Sequence, residues 1–212
     1  MEFELSTVAN CLHNKDTKFA TRASDLMLLF GAFDLDNAYE TGRKIEGVSE
    51  IIIHPGWDST AKRFNDDIAL LILEDEIAFT KYIRPVCLMT EDRGVDDGIV
   101  VGWGRSEDTT KYHESIPKAL QIPIVSNQEC FVQNSRTVDL AWPKSFCAGR
   151  PGVGVCIGDS GAGFFVKFQG KFYLRGVVSS GAFSEKFIAT GCFTDNFVLY
   201  ADVSKYSDFI GV

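Results

Sequence analysis

The sequence has no long apolar segment, no excess of positive charge and only three histidines. No stretch approaches the roughly 18 consecutive apolar residues of a membrane-spanning helix, so we expect no membrane insertion. Lys and Arg number 21 against 29 Asp and Glu, which gives a formal net charge of −8. Because nucleic acids and anionic membranes are polyanions, this balance disfavours both as partners. The first residues are acidic and lack the apolar run of a signal peptide, which taken alone predicts a cytosolic protein.

The spacings of a metal site are also absent. His13, His54 and His113 are far apart in the sequence, and no two cysteines form a Cys-x-x-Cys pair. We therefore expect no metal and no cofactor. The cysteines are spread along the chain: Cys11, Cys87, Cys130, Cys147, Cys156 and Cys192. Such spread thiols in a glycine-rich β chain favour disulfides and an oxidising compartment, but buried free thiols explain the composition equally well.

The chain does contain a series of short apolar segments separated by Gly, Asp and Asn. The clearest are 48–53, 68–73 and 99–101, and the segments 164–166 and 172–174 flank the turn composition of a hairpin. Short strands with this punctuation predict an all-β sandwich or barrel.

Helix signals are few. Ser126 and Glu129 stand at capping-box spacing and predict a short helix. Val203, Tyr206 and Ile210 recur at helical intervals and predict a short helix near the C-terminus.

One segment has a composition suited to catalysis. Ser160 is flanked by Asp159 and Gly161, with Gly158 just before. In a tight turn the backbone N–H groups of Gly158 and Ser160 could converge on one point and form an oxyanion hole. The same residues are ordinary turn formers, so this motif alone does not decide the function.

Three segments in this order, 7–11, 66–71 and 156–161, resemble the chymotrypsin/trypsin family of serine peptidases. The resemblance covers essentially the whole chain. Further landmarks are Ile52–Ile53–His54–Pro55, Arg84–Pro85–Val86–Cys87–Leu88, Val101–Gly102–Trp103–Gly104 and Tyr200–Ala201–Asp202–Val203.

The resemblance implies an all-β fold of two perpendicular β-barrels with a short C-terminal helix and an active site in the cleft between the barrels. We expect the N-terminal barrel to be incomplete, because the chain begins inside the segment that leads to the family's catalytic histidine. We predict one peptidase domain over residues 1–212, with sub-lobes of about 1–97 and 98–212.

By the same resemblance, Asp67 matches the aspartate of the catalytic triad and Ser160 the nucleophile, with Gly158 and Ser160 forming the oxyanion hole. The family pattern Ala-Ala-His-Cys places the catalytic histidine at Asn10 of this chain. An amide can neither take the serine proton nor return it, so we expect the base to be lost. We interpret His13, which lies three residues further on, as a surface residue.

His54 matches a structural loop residue of the family rather than its base. The specificity pocket of the family has its base at Gly154 and a wall glycine at Gly181. No carboxylate stands at Gly154, so a preference for Lys or Arg is not supported. Val198 replaces a second wall glycine and would intrude on the pocket, and Ser180 replaces a tryptophan that packs on substrate.

The family also pairs the aspartate before the nucleophile with a newly cleaved amino terminus. This chain contains no such cleavage sequence. We therefore expect Asp159 to lack its partner and its loop to be loose, because an unpaired buried carboxylate is costly.

The resemblance implies two disulfides, Cys130–Cys147 and Cys156–Cys192. It leaves Cys11 and Cys87 unpaired in this chain. Cys11 matches a cysteine with a partner further upstream, and Cys87 matches one that tethers a propeptide or regulatory region. These features imply a secreted protein.

Two functions follow as hypotheses. The first is a catalytically inactive, secreted serine protease homologue that regulates or scaffolds a proteolytic cascade of the kind found in invertebrate immunity or clotting. Its partners would be protein substrates or other proteases. The alternative is an active serine endopeptidase that uses Ser160 with a non-standard base.

Overall fold

A computed structural model describes residues 4–13, 19–108 and 111–211, which form strands and short helices. The strands are β1 (Glu4–Thr7), β2 (Met27–Phe30), β3 (Lys44–Ile53), β4 (Ala69–Leu73), β5 (Cys87–Leu88), β6 (Asp97–Gly104), β7 (His113–Val125), β8 (Ser145–Ala148), β9 (Gly163–Phe168), β10 (Lys171–Gly181) and β11 (Val198–Asp202). The α-helices are α1 (Ala9–Leu12), α2 (Asn127–Gln133), α3 (Arg136–Leu140), α4 (Glu185–Thr190) and α5 (Ser207–Ile210). Two 3₁₀ turns span Ala23–Asp25 and Val203–Lys205.

The first sheet is open and has the strand order β1-β4-β3-β2, with all neighbours antiparallel. Its inner strand β4 reads Ala-Leu-Leu-Ile-Leu and is buried along almost its full length. A continuous apolar run of this length is typical of a strand that is covered on both faces.

The second sheet closes on itself. Its order is β11-β8-β7-β6-β9-β10, and β11 also pairs with β10, which completes a six-stranded barrel. Strand β5 joins this sheet outside the ring by parallel pairing with β10. The all-β prediction is therefore confirmed, with one closed barrel, one open sheet and a short helix at the C-terminal end.

An aromatic cluster fills part of the closed barrel. The ring of Tyr200 stacks on Phe146 at a centroid distance of 5.2 Å and meets Phe164 edge-on at 5.1 Å. All three side chains are buried. Contacts of this geometry add to the stabilisation that burial of the rings provides.

Two local predictions are confirmed. The hairpin between β9 and β10 turns at Gln169 and Gly170, whose φ angles are 48° and 79°. Two positive φ values are what a type I′ hairpin turn requires. Ser126 caps α2, where its hydroxyl accepts the backbone N–H of Glu129 at 3.1 Å.

The proposed division into residues 1–97 and 98–212 stays a prediction. Strand β6 begins at Asp97, close to that boundary, whereas β5 precedes it and pairs with the barrel. In the described part of the chain, no helix has the length and apolar character needed to cross a membrane. The described residues also contain no group of three or more His, Cys, Asp or Glu side chains placed to hold a metal ion.

Candidate active site

Asp67 is the buried centre of the site. It lies two residues before β4 and has no exposed surface. Its Oδ1 accepts the backbone N–H of Asn10 at 2.7 Å, and its Oδ2 accepts the hydroxyl of Ser179 at 2.6 Å. Ser179 belongs to β10 of the barrel, whereas Asn10 belongs to α1. One carboxylate therefore connects the open sheet, the first helix and the closed barrel.

Helix α1 positions Asn10. Val8 and Ala9 are fully buried and fix the start of the helix, while Asn10 is half-buried. The backbone N–H of His13 closes the helix on the carbonyl of Ala9 at 2.7 Å. The residue that the helix holds beside Asp67 thus has a neutral amide side chain.

The turn that contains Ser160 packs against the same segment. The thiol of Cys11 lies 3.8 Å from the carbonyl oxygen of Ser160. A Cβ atom on Gly161 would lie 2.7 Å from Oγ1 of Thr7, so only glycine fits there without displacing Thr7. Ser160 itself is exposed. The structure therefore brings the three predicted segments together, with Asn10, Asp67 and Ser160 at one site.

The backbone around Ser160 has donors available for an anionic oxygen. The N–H of Asp159 bonds to the carbonyl of Cys156 at 3.0 Å and forms a turn in which Gly158 has a φ of 94°. Within residues 4–13, 19–108 and 111–211, the N–H groups of Gly158 and Ser160 have no hydrogen-bond partner. Exposed N–H donors of this kind are the chemical requirement of an oxyanion hole.

The carboxylate of Asp159 has two backbone partners in the described structure, whereas the expected lack of an amino-terminal partner stays a prediction. The side chain is only 3% exposed, and it accepts the backbone N–H groups of Gly104 at 2.8 Å and Cys156 at 2.9 Å. A side chain at Gly102 or Gly104 would overlap this carboxylate. The glycines of the Gly-Trp-Gly segment thus let backbone amides reach Asp159 and hold its loop in place.

The three predicted pocket residues lie around Phe193, a residue that the sequence analysis did not identify. Gly181 of β10 lies opposite Val198 of β11 in the barrel register. A Cβ atom on Gly181 would lie 2.6 Å from the ring of Phe193, and one on Gly154 would overlap the carbonyl of Phe193. Val198 belongs to the same buried cluster as Phe193. No local sequence pattern marks Phe193, because its ring direction depends on the packing of distant segments.

The histidines have other contacts. His13 lies 3.2 Å from the hydroxyl of Ser59 through its Nε2. His54 accepts the backbone N–H of Gly56 through Nδ1 at 3.0 Å and contacts the rings of Tyr206 and Phe209. These contacts agree with a structural role for His54.

Partial burial lowers the pKa of His54. The charge of Lys144 also lowers it, against an opposing effect of Asp66.

Both expected disulfides are present. Cys130–Cys147 links α2 to β8, and Cys156–Cys192 connects the Ser160 turn to the segment that carries Phe193. Cys11 and Cys87 are free thiols at exposed residues. Desolvation of the thiol and the charge of Asp67 raise the pKa of Cys11 to about 11.

The trypsin family model matches residues 5–210. The chain therefore belongs to the trypsin family of serine proteases, the class that its closed barrel also indicates.

Among curated relatives, serine protease gd of Drosophila melanogaster is 32% identical over 89% of this chain and 42% of its own length. Phenoloxidase-activating factor 1 of Holotrichia diomphalia is 34% identical over 77% of this chain and 44% of its own length. Complement C1s subcomponent of Rattus norvegicus is 32% identical over 76% of this chain and 24% of its own length. The chain thus spans less than half the length of each of these relatives.

Proposed function

We propose that this trypsin-family domain is a catalytically inactive serine protease homologue that acts in a proteolytic cascade by binding other proteins. It keeps the nucleophile position, Ser160, and the donors of an oxyanion hole, but it has no general base. The observation that carries the proposal is the residue at position 10. The backbone N–H of Asn10 bonds to Asp67, which supports our assignment of Asn10 to the position of the family's catalytic imidazole.

The chemistry at that position excludes proton transfer. A serine hydroxyl is a weak nucleophile until a neighbouring base removes its proton, and the same base must later protonate the leaving amine. An amide does neither at physiological pH. In the subtilisin series, loss of the histidine costs about 10⁶ in turnover, and the residual activity comes from the oxyanion hole and binding.

The other titratable side chains do not replace the base. His13 contacts Ser59, and His54 packs on the rings of Tyr206 and Phe209. The thiol of Cys11 contacts the backbone carbonyl of Ser160, and its raised pKa keeps it protonated. These placements favour the inactive homologue over an endopeptidase with a non-standard base.

The relatives support a place in a secreted protease cascade. One of them is named a phenoloxidase-activating factor and one is a complement subcomponent. Two disulfides in the described structure fit an oxidising, extracellular compartment. The exposed free thiol of Cys87 supports a covalent link to an N-terminal regulatory region. We infer that the partners are proteases or their protein substrates.

The experiment is to label the full-length protein with a fluorophosphonate, which reacts with an activated serine. We expect the native protein to label at least 1,000-fold more slowly than trypsin, given the losses measured for missing triad members. Asn10→His should raise the rate, and the matched double variant Asn10→His/Ser160→Ala should abolish it. Labelling of the native protein within tenfold of trypsin would overturn the proposal.

A paired comparison tests the alternative base. If residual labelling of Ser160 falls in His13→Gln but not in the exposed control His113→Gln, His13 acts as the base and the active-enzyme hypothesis is correct. Equal rates in both variants support the proposal.

A further inference from the structure

We propose that Phe193 occupies the specificity pocket of this domain from inside, and that an aromatic stack closes the pocket at the surface. The pocket then accepts no substrate side chain. This inference rests on Gly154, Gly181 and Val198 as the pocket positions, and it is independent of the missing base at position 10.

Two glycines on different segments define where Phe193 lies. The carbonyl of Phe193 occupies the space that a side chain on Gly154 would need, and a Cβ atom on Gly181 would lie 2.6 Å from the Phe193 ring. A single residue therefore spans the gap between the predicted base of the pocket and its wall. Phe193 is only 9% exposed, so little of the ring remains in contact with solvent.

A stack of three phenylalanines runs from the pocket to the surface. The ring of Phe187 stacks on Phe193 at a centroid distance of 4.1 Å. Phe183 stacks on Phe187 at a centroid distance of 4.6 Å and an interplanar angle of 7°. Phe183, the outermost ring, is 60% exposed. Offset stacking adds to the apolar burial of each ring, so the outer two rings oppose rotation of Phe193 out of the pocket.

The backbone on either side of Phe193 is fixed. Its N–H bonds to the carbonyl of Val155 at 2.9 Å, and the carbonyl of Thr194 accepts the N–H of Gly152 at 2.8 Å. The preceding residue is held by the Cys156–Cys192 disulfide. These hydrogen bonds pair residues 152–156 with residues 192–194 as in a β-ladder. The backbone of Phe193 is therefore fixed to the segment that contains Gly154.

Helix α4 contains Phe187, the middle ring of the stack, and is held in place by contacts of Ser184 and Lys186. Ser184 caps the helix by accepting the N–H of Phe187 at 3.0 Å, and its hydroxyl donates to Asp195 at 2.9 Å. Lys186 forms an ion pair with Glu107 at 3.1 Å. The stack is therefore held against the pocket by contacts that do not involve the rings.

Substrate binding would have to displace this arrangement. A peptide side chain that enters the pocket must expel the ring of Phe193 and break its stacking on Phe187. Restoring a histidine at position 10 leaves both contacts in place. We therefore expect Asn10→His to react with a small fluorophosphonate that needs no pocket, yet to cleave peptide substrates poorly.

The first test measures the ring position in the native protein. In an NMR spectrum with labelled phenylalanine and glycine, we expect nuclear Overhauser contacts between the Phe193 ring protons and the Gly181 α protons. Their absence in the folded protein would overturn the proposal. This measurement needs no substitution and does not depend on the reactivity of Ser160.

The second test asks whether removing the ring opens a site. Toluene, which matches the removed side chain in size, should bind Phe193→Ala at least tenfold more tightly than the native protein. The matched control Phe172→Ala removes an exposed phenylalanine of β10 and should bind toluene no better than the native protein. Equal binding to the native protein and to Phe193→Ala would overturn the proposal. If Phe193→Ala does not fold, Phe193→Val serves in the same comparison.

The two proposals fail separately. Rapid labelling of Ser160 in the native protein would refute the inactive homologue without changing the ring contacts. Absent ring contacts would refute the occupied pocket without restoring a base. In the double variant Asn10→His/Phe193→Ala, we expect peptide cleavage to exceed that of Asn10→His, whereas fluorophosphonate labelling should be similar in both.

Discussion

We predict that removing the buried hydroxyl of Tyr200 stabilises the protein. Tyr200 has no exposed surface, and its hydroxyl has no hydrogen-bond partner among the residues that the structure describes. Burial, together with the nearby charge of Asp159, raises the pKa of this phenol. The phenol is therefore neutral, and the part of the chain that the structure describes offers its hydroxyl no hydrogen bond.

Replacing Tyr200 with phenylalanine removes only this hydroxyl. The stacking on Phe146 and the edge contact with Phe164 involve the ring and are retained. An unpaired buried hydroxyl costs about 1–3 kcal/mol. We expect Tyr200→Phe to raise the free energy of unfolding by about 1 kcal/mol, or Tm by about 2–4 °C for a domain of this size.

Tyr206 supplies a matched control. It is 2% exposed, and its hydroxyl accepts the indole N–H of Trp142 at 3.0 Å. Tyr206→Phe leaves that donor unpaired, so we expect a loss of about 1 kcal/mol. Urea unfolding followed by tryptophan fluorescence measures both variants, with equal m-values as the check on two-state behaviour. If Tyr200→Phe loses as much stability as Tyr206→Phe, the hydroxyl of Tyr200 is satisfied and the reasoning is refuted.

Two further predictions concern titration. The pKa of His54 is lower in the folded protein than in the unfolded chain, so the unfolded chain takes up the proton first as the pH falls. The stability that neutral His54 contributes is therefore lost as the pH falls from about 6.5, the pKa of the unfolded chain, through the folded-state pKa. Urea unfolding at about pH 7.5 and 5.5 should therefore show a smaller acid-induced loss in His54→Asn than in the native protein; an equal loss would contradict the assignment. The raised pKa of Cys11 makes its thiolate scarce, so iodoacetamide should alkylate Cys11 at about pH 7.5 at least tenfold more slowly in the folded protein than in urea. Equal rates, measured by mass spectrometry, would show that the thiol is not desolvated.

The sequence predicts elements with a strong local pattern. The apolar run of β4, the hairpin at Gln169 and Gly170, and the cap of Ser126 each have a residue pattern that acts over a few positions. Strand β7 is absent from the sequence-based expectations, and it contains Pro117 and Pro123, a residue type that usually weakens a strand. Pro117 is accommodated where the β6–β7 register shifts.

Helices α1, α3 and α4 were also missed. Helix α4 has local signals at both ends, since Ser184 caps it and Gly191 follows it with a φ of 75°. Helix α1 has only four residues and no side-chain cap, so its sequence does not distinguish it from a turn. Such short helices form because neighbouring segments hold them, and local propensity contributes little.

The candidate site divides in the same way. The resemblance to the family names Asp67 and Ser160, and in the structure both contact the segment that carries Asn10. The backbone partners of Asp159 were not predictable, because Gly104 lies 55 residues away and donates through its backbone. The position of the Phe193 ring likewise depends on segments far apart in the sequence. The residues of the site can thus be named from the family's motifs. Their backbone hydrogen-bond donors and the orientation of the Phe193 ring depend on tertiary packing and cannot.

The contrast between the two sheets has a consequence for how molecules of this domain meet one another. Closure leaves the strands of the barrel with few unpaired backbone groups, whereas the described part of the open sheet ends in β1 on one side and β2 on the other. Met27 of β2 is 78% exposed, and Ile45 of the neighbouring β3 is 59% exposed. Apolar edge strands can pair with strands of another chain. A lysine at position 27 would therefore lower the tendency of this described edge to pair with another strand.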